Sequence, residues 1–305
     1  MDWDKLKRII VKNTQLPTII TQHEGLNIIR DDVIFGGTKM RAILHLMRQF
    51  KNNGYTQFAY VGPVTGFAII AISLGAFVLD CESYFWSKDY GLPKKPLQQI
   101  LIEKLPGAHL ELVRGSEAKI GHYACEFVFN SGDKAKLLSI GNMTNEYPYA
   151  LRETIQNNDV YLAKSNAEVS AVRKNPDKLR NLKKLKWKFH QLPVQKLFIV
   201  ATGASVYYIM KSIFLDAKIS VVQVSSKIWN KYPIDYKRTT IHKSPQKFSH
   251  EADILPPWDS VATYDAKSYQ FITDEDKKMK GVFVYNIAAD KSIHDILALM
   301  KQYRK

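Results

Sequence analysis

Apolar residues recur along this chain in two rhythms, and each predicts a different element. Between residues 38 and 52, Met40, Ile43, Leu44, Met47 and Phe50 fall three and four apart, which is one face of an α-helix, and Asn53-Gly54 closes it. Short unbroken apolar runs have the length and content of buried strands: "QFAYVG" at 57–62, "KLFIVA" at 196–201, "ISVVQV" at 219–224 and "GVFVYN" at 281–286. "FAIIAISLG" at 67–75 reads as a buried helix and "AFVLDCE" at 76–82 as the next strand. A strand–helix–strand unit of this kind implies a parallel sheet. Residues 98–115 repeat helix then strand around Pro106-Gly107, 122–142 read as two strands around Ser131-Gly132-Asp133, and a helix begins at 147. Before these, 5–12 predict a short basic helix, and 14–33 extended segments broken at Pro17 and Gly25. Residues 258–272 read as a turn and helix start, and the last helix begins near Ser292. Strands alternate with helices throughout, so the fold class is α/β.

One stretch departs from this alternation. Residues 158–195 are less regular and strongly basic, and "RKNPDKLRNLKKLKWKFH" at 173–190 reads as an amphipathic helix with Leu179, Leu182, Leu185 and Phe189 on its apolar side. Its cations include Arg173, Lys174, Lys183, Lys184 and Lys186. They form either a solvated face packed on the body or a surface that meets a phosphate backbone. Charge keeps the second reading open: 44 Lys and Arg stand against 29 Asp and Glu, a net +15 over 305 residues. A field of that sign attracts polyanions, nucleic acid first among them, although compositional drift toward lysine would produce it too.

Other totals narrow the class. With 46% apolar and 24% charged residues the chain is an ordinary globular one, long enough for two domains. No apolar run is long enough to span a membrane, and "MDWDKLKRII" lacks a signal core, so a cytoplasmic location is expected. Cys81 and Cys125 predict two reduced thiols rather than a disulfide framework, and no spacing of metal ligands appears. The eight histidines lack a nucleophile context, so no hydrolase triad is predicted.

Two glycine turns carry candidate chemistry. In "VATGASVYY" at 200–208 a strand runs through Thr202, Gly203, Ala204 and Ser205 into a helix. Unpaired N–H groups and the helix dipole favour an anion there, and the hydroxyls add donors, so the turn is a candidate phosphate cup. It matches neither the Walker loop nor the dinucleotide fingerprint. The second turn, "IIRDDVIFGGTKMRAILHLM" at 28–47, places Lys39 behind Gly36-Gly37 at the mouth of a helix. Burial would lower that amine's basicity and make it a nucleophile, and the glycines would clear room for a flat ring. Alone, each turn is also an ordinary structural one. Together, a phosphate cup and an activated lysine in an α/β chain are what pyridoxal phosphate requires.

The same residues resemble a known family. "RDDVIFGGTKMRAILHLM" resembles the lysine motif of the fold type II pyridoxal phosphate enzymes, nearest the branch of 1-aminocyclopropane-1-carboxylate deaminase and D-cysteine desulfhydrase. Lys39 matches the Schiff-base lysine, Gly36 and Gly37 its glycines, and Arg41 the arginine that follows. "VATGASVYYIM" is similar to the family's phosphate loop, so the resemblance assigns Thr202, Gly203, Ala204 and Ser205 to the phosphate. "WDSVATYDAKSYQFI" is similar to its D-P-V-Y-x-G-K-S segment, with Tyr264 at the active-site tyrosine and Asp265 at the acid near the pyridine nitrogen. Three departures stand out. Thr38 replaces an asparagine, "VGPVTGFA" lacks the Ser-Asn pair and leaves Thr65 and Gly66 as its nearest counterparts, and Asn286-Ile287-Ala288-Ala289 replaces H-T-G-G. The cofactor site looks kept and the substrate site rebuilt.

The resemblance implies a tryptophan-synthase-β-like pair of open sheets with helices on both faces. Residues 1–50 plus 161–305 would form the large cofactor-binding domain, and 51–160 a smaller inserted α/β domain, with the cofactor in the cleft between. It implies a lyase, deaminase or decarboxylase acting on a small amino-acid-like amine, with Lys39 as general base and Tyr264 as a second acid/base group, and a homodimer by family analogy. It also permits an amine already tethered to DNA, since divergent bacteriophage relatives are linked to hypermodified thymines. A rival from another class is a non-catalytic nucleic-acid-binding protein on a degenerate enzyme fold. The missing Ser-Asn pair favours that rival, and the retained Lys39, Thr202–Ser205 and Tyr264-Asp265 oppose it.

Overall fold

A computed structural model of the chain describes residues 2–138, 146–201, 205–224, 234–246 and 250–303. The chain opens with helix α1 (Trp3–Thr14), then a hairpin of β1 (Thr18–His23) and β2 (Leu26–Arg30) turning at Glu24-Gly25, both with positive φ. A 3-10 turn at Asp31–Val33 leads through Gly36-Gly37 into α2 (Thr38–Asn52). Next come β3 (Gln57–Val61), α3 (Phe67–Val78), β4 (Glu82–Lys88), α4 (Leu97–Ile102), β5 (Ala108–Val113), α5 (Glu117–Ser131) and β6 (Ala135–Leu137). Strands β3 to β6 form an all-parallel sheet in the order β5-β4-β3-β6.

The remaining strands join β1 and β2 in a larger sheet. They are β7 (Asp159–Ala163), β8 (Lys183–Lys188), β9 (Lys196–Ala201), β10 (Lys218–Gln223), β11 (Thr239–Lys243) and β12 (Val282–Asn286). Their order is β11-β10-β9-β12-β2-β1-β7-β8. The five strands from β11 to β2 are parallel, whereas β1 runs antiparallel to β2 and β8 antiparallel to β7. The helices α6 (Glu146–Ile155), α7 (Asn166–Lys174), α8 (Ser205–Ile213), α9 (Asp274–Lys278) and α10 (Asp290–Gln302) complete the described chain. The strands of the small sheet lie between 57 and 137, and β7 belongs to the large sheet. No described helix is long and apolar enough to cross a membrane.

Alternation explains the burial of the central strands. Ile29, Leu197, Ile199, Phe283 and Tyr285 face the main core, while Ile28, Phe198, Val282 and Val284 pack on the other face with Leu26 and Trp258. Strands covered on both faces read as continuous apolar runs, which is how they stood in the sequence. Helix α3 is buried along nearly its whole length, packed between α2, α1 and α4 and against β3 and β4. That is why it shows no polar face.

Three expectations are corrected. "AFVLDCE" is not a strand: α3 continues to Val78 and β4 begins at Glu82. Residues 122–131 belong to α5, because the Ser116 hydroxyl accepts from the Lys119 amide as an N-cap and Ile120 and Ala124 bury one helical face. Aromatic and β-branched residues there imitated a strand. The basic stretch is not one helix. Pro176 forces Asn175 out of helical conformation, a 3-10 turn follows at Pro176–Asn181, and Lys183–Lys188 is an edge strand whose lysines alternate with the partly buried Leu185 and Trp187. The last helix starts at Asp290, close to the expected Ser292. Strands β7 and β11 and helix α7 had not been anticipated.

Candidate active site

Strands β2, β9 and β12 are parallel neighbours, so the segments that leave their carboxyl ends gather at one edge of the large sheet. Those described are 31–39 and 287–289, and α8 follows β9. Ligands in open α/β sheets bind at such an edge. Thr202, Gly203 and Ala204 lie outside the described residues, as does the side chain of Ser205, whose backbone opens α8.

The Lys39 turn is held from several sides. The Thr38 amide donates to the Ile287 carbonyl at 3.0 Å, tying the head of α2 to the loop after β12. The Thr38 hydroxyl donates to Asp31 Oδ2 at 2.9 Å, the Tyr285 hydroxyl donates to the same oxygen at 2.7 Å, and Arg41 donates to Asp31 Oδ1. Gly37 has φ +68°, and a Cβ there would stand 2.5 Å from the Ile287 carbonyl oxygen; one on Gly36 would press on Ala71 and Met40. The glycines thus let protein close on protein, and the space beside them is not room for a ring as expected. Gly37→Ala is expected to cost about 1–3 kcal/mol of stability, read as a lower urea midpoint at unchanged slope.

Lys39 is partly buried, and nothing among the described residues hydrogen-bonds its amine. Burial lowers its pKa from the ordinary lysine value, and the nearby Asp265 carboxyl opposes the shift. Asp265 opens a 3-10 segment (Asp265–Phe271) packed on β9 and β10. It is buried, its Oδ2 accepts from the Ala288 amide at 3.0 Å, and its Oδ1 has no partner among the described residues. Burial pushes its pKa well above the carboxylate range, the Ala288 amide opposes this, and the Asp32 charge adds to it. Tyr264, next in line, donates its hydroxyl to the Val200 carbonyl at 3.3 Å, at the end of β9. Lys39, Tyr264 and Asp265 are therefore brought to one edge.

A carboxyl with a raised native pKa binds its proton more tightly folded than unfolded. As pH rises from the ordinary carboxylate range toward the native value, the unfolded chain releases that proton first and stability falls. Asp265→Asn cannot ionise. In the ligand-free protein its stability is expected to exceed the parent's by a gap that widens from acid to neutral pH, by roughly 1–3 kcal/mol in denaturant titrations.

Other expected residues fall elsewhere. Thr65 is exposed and Gly66 caps α3, in the turn after β3 of the small sheet. Arg173 is not a surface contact. It is fully buried, with Nε donating to Asp295 at 2.8 Å, Nη1 to the Asp32 carbonyl at 3.1 Å and Nη2 near Asp259 at 3.5 Å. Arg30 is buried beside it and pairs bidentately with Asp32, which also accepts from Asn286 at the end of β12. Lys174 pairs with Asp295 and Lys184 with Asp159, while Lys183 and Lys186 face solvent. The Asp31–Asp32 framework, with Tyr285, Asn286, Asp259 and Asp295, escaped the sequence reading apart from the Arg30-Asp31-Asp32 run. Tyr285, Asn286, Asp259 and Asp295 lie more than two hundred positions from Asp31 and Asp32, and no local pattern joins them. Among the described residues no group of acidic, histidine and cysteine side chains could hold a metal ion.

No protein-family model matches the chain, and no curated protein matches it in sequence. Solved structures do. An O-ureido-L-serine synthase shares 10% identity at a TM-score of 0.60, covering 93% of this chain and 92% of its own. The diaminopropionate ammonia lyase of Escherichia coli shares 10% at 0.57, covering 97% and 92%. A homologue of ACC deaminase shares 12% at 0.56, covering 97% and 91%. Likeness at this identity is likeness of fold: the chain has the tryptophan-synthase-β-like architecture of fold type II, as its lysine motif led one to expect.

Proposed function

We propose that this chain is a pyridoxal-phosphate-dependent enzyme of lyase, deaminase or decarboxylase type acting on an amino-acid-like amine. One observation carries the reading. An amine that no described residue hydrogen-bonds, its basicity lowered by burial, shares a strand edge with a buried carboxyl that has one oxygen unpartnered among the described residues. Both groups are costly as they stand and are completed by a pyridine aldehyde, so the residues fit the cofactor. Bound there, the cofactor supplies an electron sink for the substrate's α-carbon.

The chain's own groups do the rest. Lys39 would hold the cofactor covalently and, once released by the incoming amine, take the α-proton at Nζ. Asp265 Oδ1 would face the ring nitrogen and share a proton with it. The Tyr264 hydroxyl, which donates to the Val200 carbonyl, would exchange that bond for one to the substrate. Thr202–Ser205 at the head of α8 would take the phosphate. Likeness to lyases and synthases of amino acids supports the substrate class. The test is to add pyridoxal phosphate, reduce with borohydride and map the peptides. A reduced adduct on Lys39 supports the reading, and its absence overturns it.

A second reading of the substrate, an amine carried on DNA, is favoured by the edge strand β8. Lys183 and Lys186 are exposed there, and the Lys186 ammonium lies over the Trp187 ring at 5.7 Å. Lysines on an edge also guard it against pairing with another chain. Measurement of DNA affinity against salt separates the two roles. If the strand contacts phosphates, Lys183→Ala and Lys186→Ala each reduce the slope by about one and weaken binding uniformly over sequence. An unchanged slope removes β8 from the DNA reading.

A further inference from the structure

Helix α6 packs against both α2 and α8. His45 of α2 lies 3.6 Å from Glu153 of α6. The Tyr147 phenol is within electrostatic reach of Asp31, which Thr38 bonds at the head of α2, and of Tyr264 and Tyr60. Tyr147, in the first turn of α6, thus lies near the turn that leads into α2.

Tyr147 is 3% exposed, and its hydroxyl has no hydrogen-bond partner among the described residues. Such a group is rare in a folded chain, because it forfeits its bond to water and gains none. Burial first, and then the Asp31 charge, push its ionisation above the ordinary phenol range, and burial pushes Tyr60 up to about 12. Both phenols stay protonated and act as neutral donors. Asp31 is already taken by Arg41, Thr38 and Tyr285. Tyr60 also walls a cleft of about 430 Å³ between the ends of β3 and β4 and helix α5, with Trp86, Lys88 and Gly121, so that phenol borders open space.

We propose that the Tyr147 hydroxyl, with Tyr60 beside it, holds the carboxylate of the amino-acid-like substrate. This rests on the proposed function and adds the residue that recognises the substrate. A carboxylate brings lone pairs and no proton, so it completes a donor that the protein leaves open.

The test compares wild type with Tyr147→Phe, each loaded with pyridoxal phosphate. Both are titrated with the common α-amino acids in either configuration and with the matching amines that lack the carboxylate, following the cofactor's absorbance. Wild type is expected to answer an amino acid far better than its decarboxylated partner. The variant is expected to load cofactor normally and to bind that amino acid roughly 10- to 100-fold more weakly, closing the gap to the amine. Ligand-free, it melts no lower than wild type, since its lost hydroxyl bonds nothing among the described residues. A lower melting temperature with unchanged discrimination makes the hydroxyl structural and overturns the proposal. Weaker cofactor binding with unchanged discrimination gives the hydroxyl to the cofactor and overturns it too. If wild type is labelled at Lys39 yet answers no amino acid, the substrate class fails and this inference with it. A responsive wild type and an equally responsive variant sink this inference alone.

Discussion

Lys39→Ala is expected to lose all borohydride-fixed label from pyridoxal phosphate and to lower turnover of any amine substrate by roughly 10²–10⁴-fold through loss of the general base alone. The ligand-free variant is expected to be as stable as its parent or slightly more so, because the amine it loses is partly buried without a hydrogen-bond partner. These two results belong together. A lysine kept for packing or for an ion pair would give the opposite pattern, with lost stability and retained labelling elsewhere on a lysine-rich surface. Lys39→Arg sharpens the comparison: it keeps a cation at the head of α2 but has no amine able to condense with an aldehyde. Labelling of Lys39→Arg at another lysine, with turnover intact, would take the Schiff-base role away from Lys39.

The lysine turn was legible because its signal is local. A strand end, two glycines and a helix start lie within about ten positions, and each obeys a short-range rule of backbone or capping geometry. The same holds for Tyr264-Asp265, where a turn and an acid sit side by side. What those residues rest on was not legible. Arg173 stands in a run of cations and reads as one more of them, but its acceptors are at 32, 259 and 295. Only the closed fold brings them together. Pro176 was the local clue that the run could not be one helix, and the leucine spacing outweighed it. Tyr147 had no motif at all: a tyrosine in the first turn of an amphipathic helix is ordinary core until its hydroxyl proves to lack a partner.

Arg173→Met is expected to destabilise the protein by about 3–5 kcal/mol, because it strands Asp295 and Asp32 in the interior without their shared cation. The residue clamps three elements: the 3-10 turn at Asp31–Val33 through the Asp32 carbonyl, α10 through Asp295, and the 259 loop through Asp259. Asp32 in turn accepts from Arg30 and from Asn286, so the ends of β2 and β12 are locked together directly beneath the lysine turn. Loss of Arg173 should therefore loosen the geometry at Lys39 as well, and slower labelling by pyridoxal phosphate should accompany the lower urea midpoint. Arg173→Lys is expected to recover only part of either, since one ammonium cannot reach three separate acceptors in the planar fork that a guanidinium provides. A nucleic-acid contact would behave otherwise: stability and labelling would be untouched in both variants, and only the salt dependence of DNA binding would change, by a slope of about one. Burial of the side chain at 0% exposure decides between these in advance, because a group closed off from water cannot meet a phosphate without unfolding what holds it.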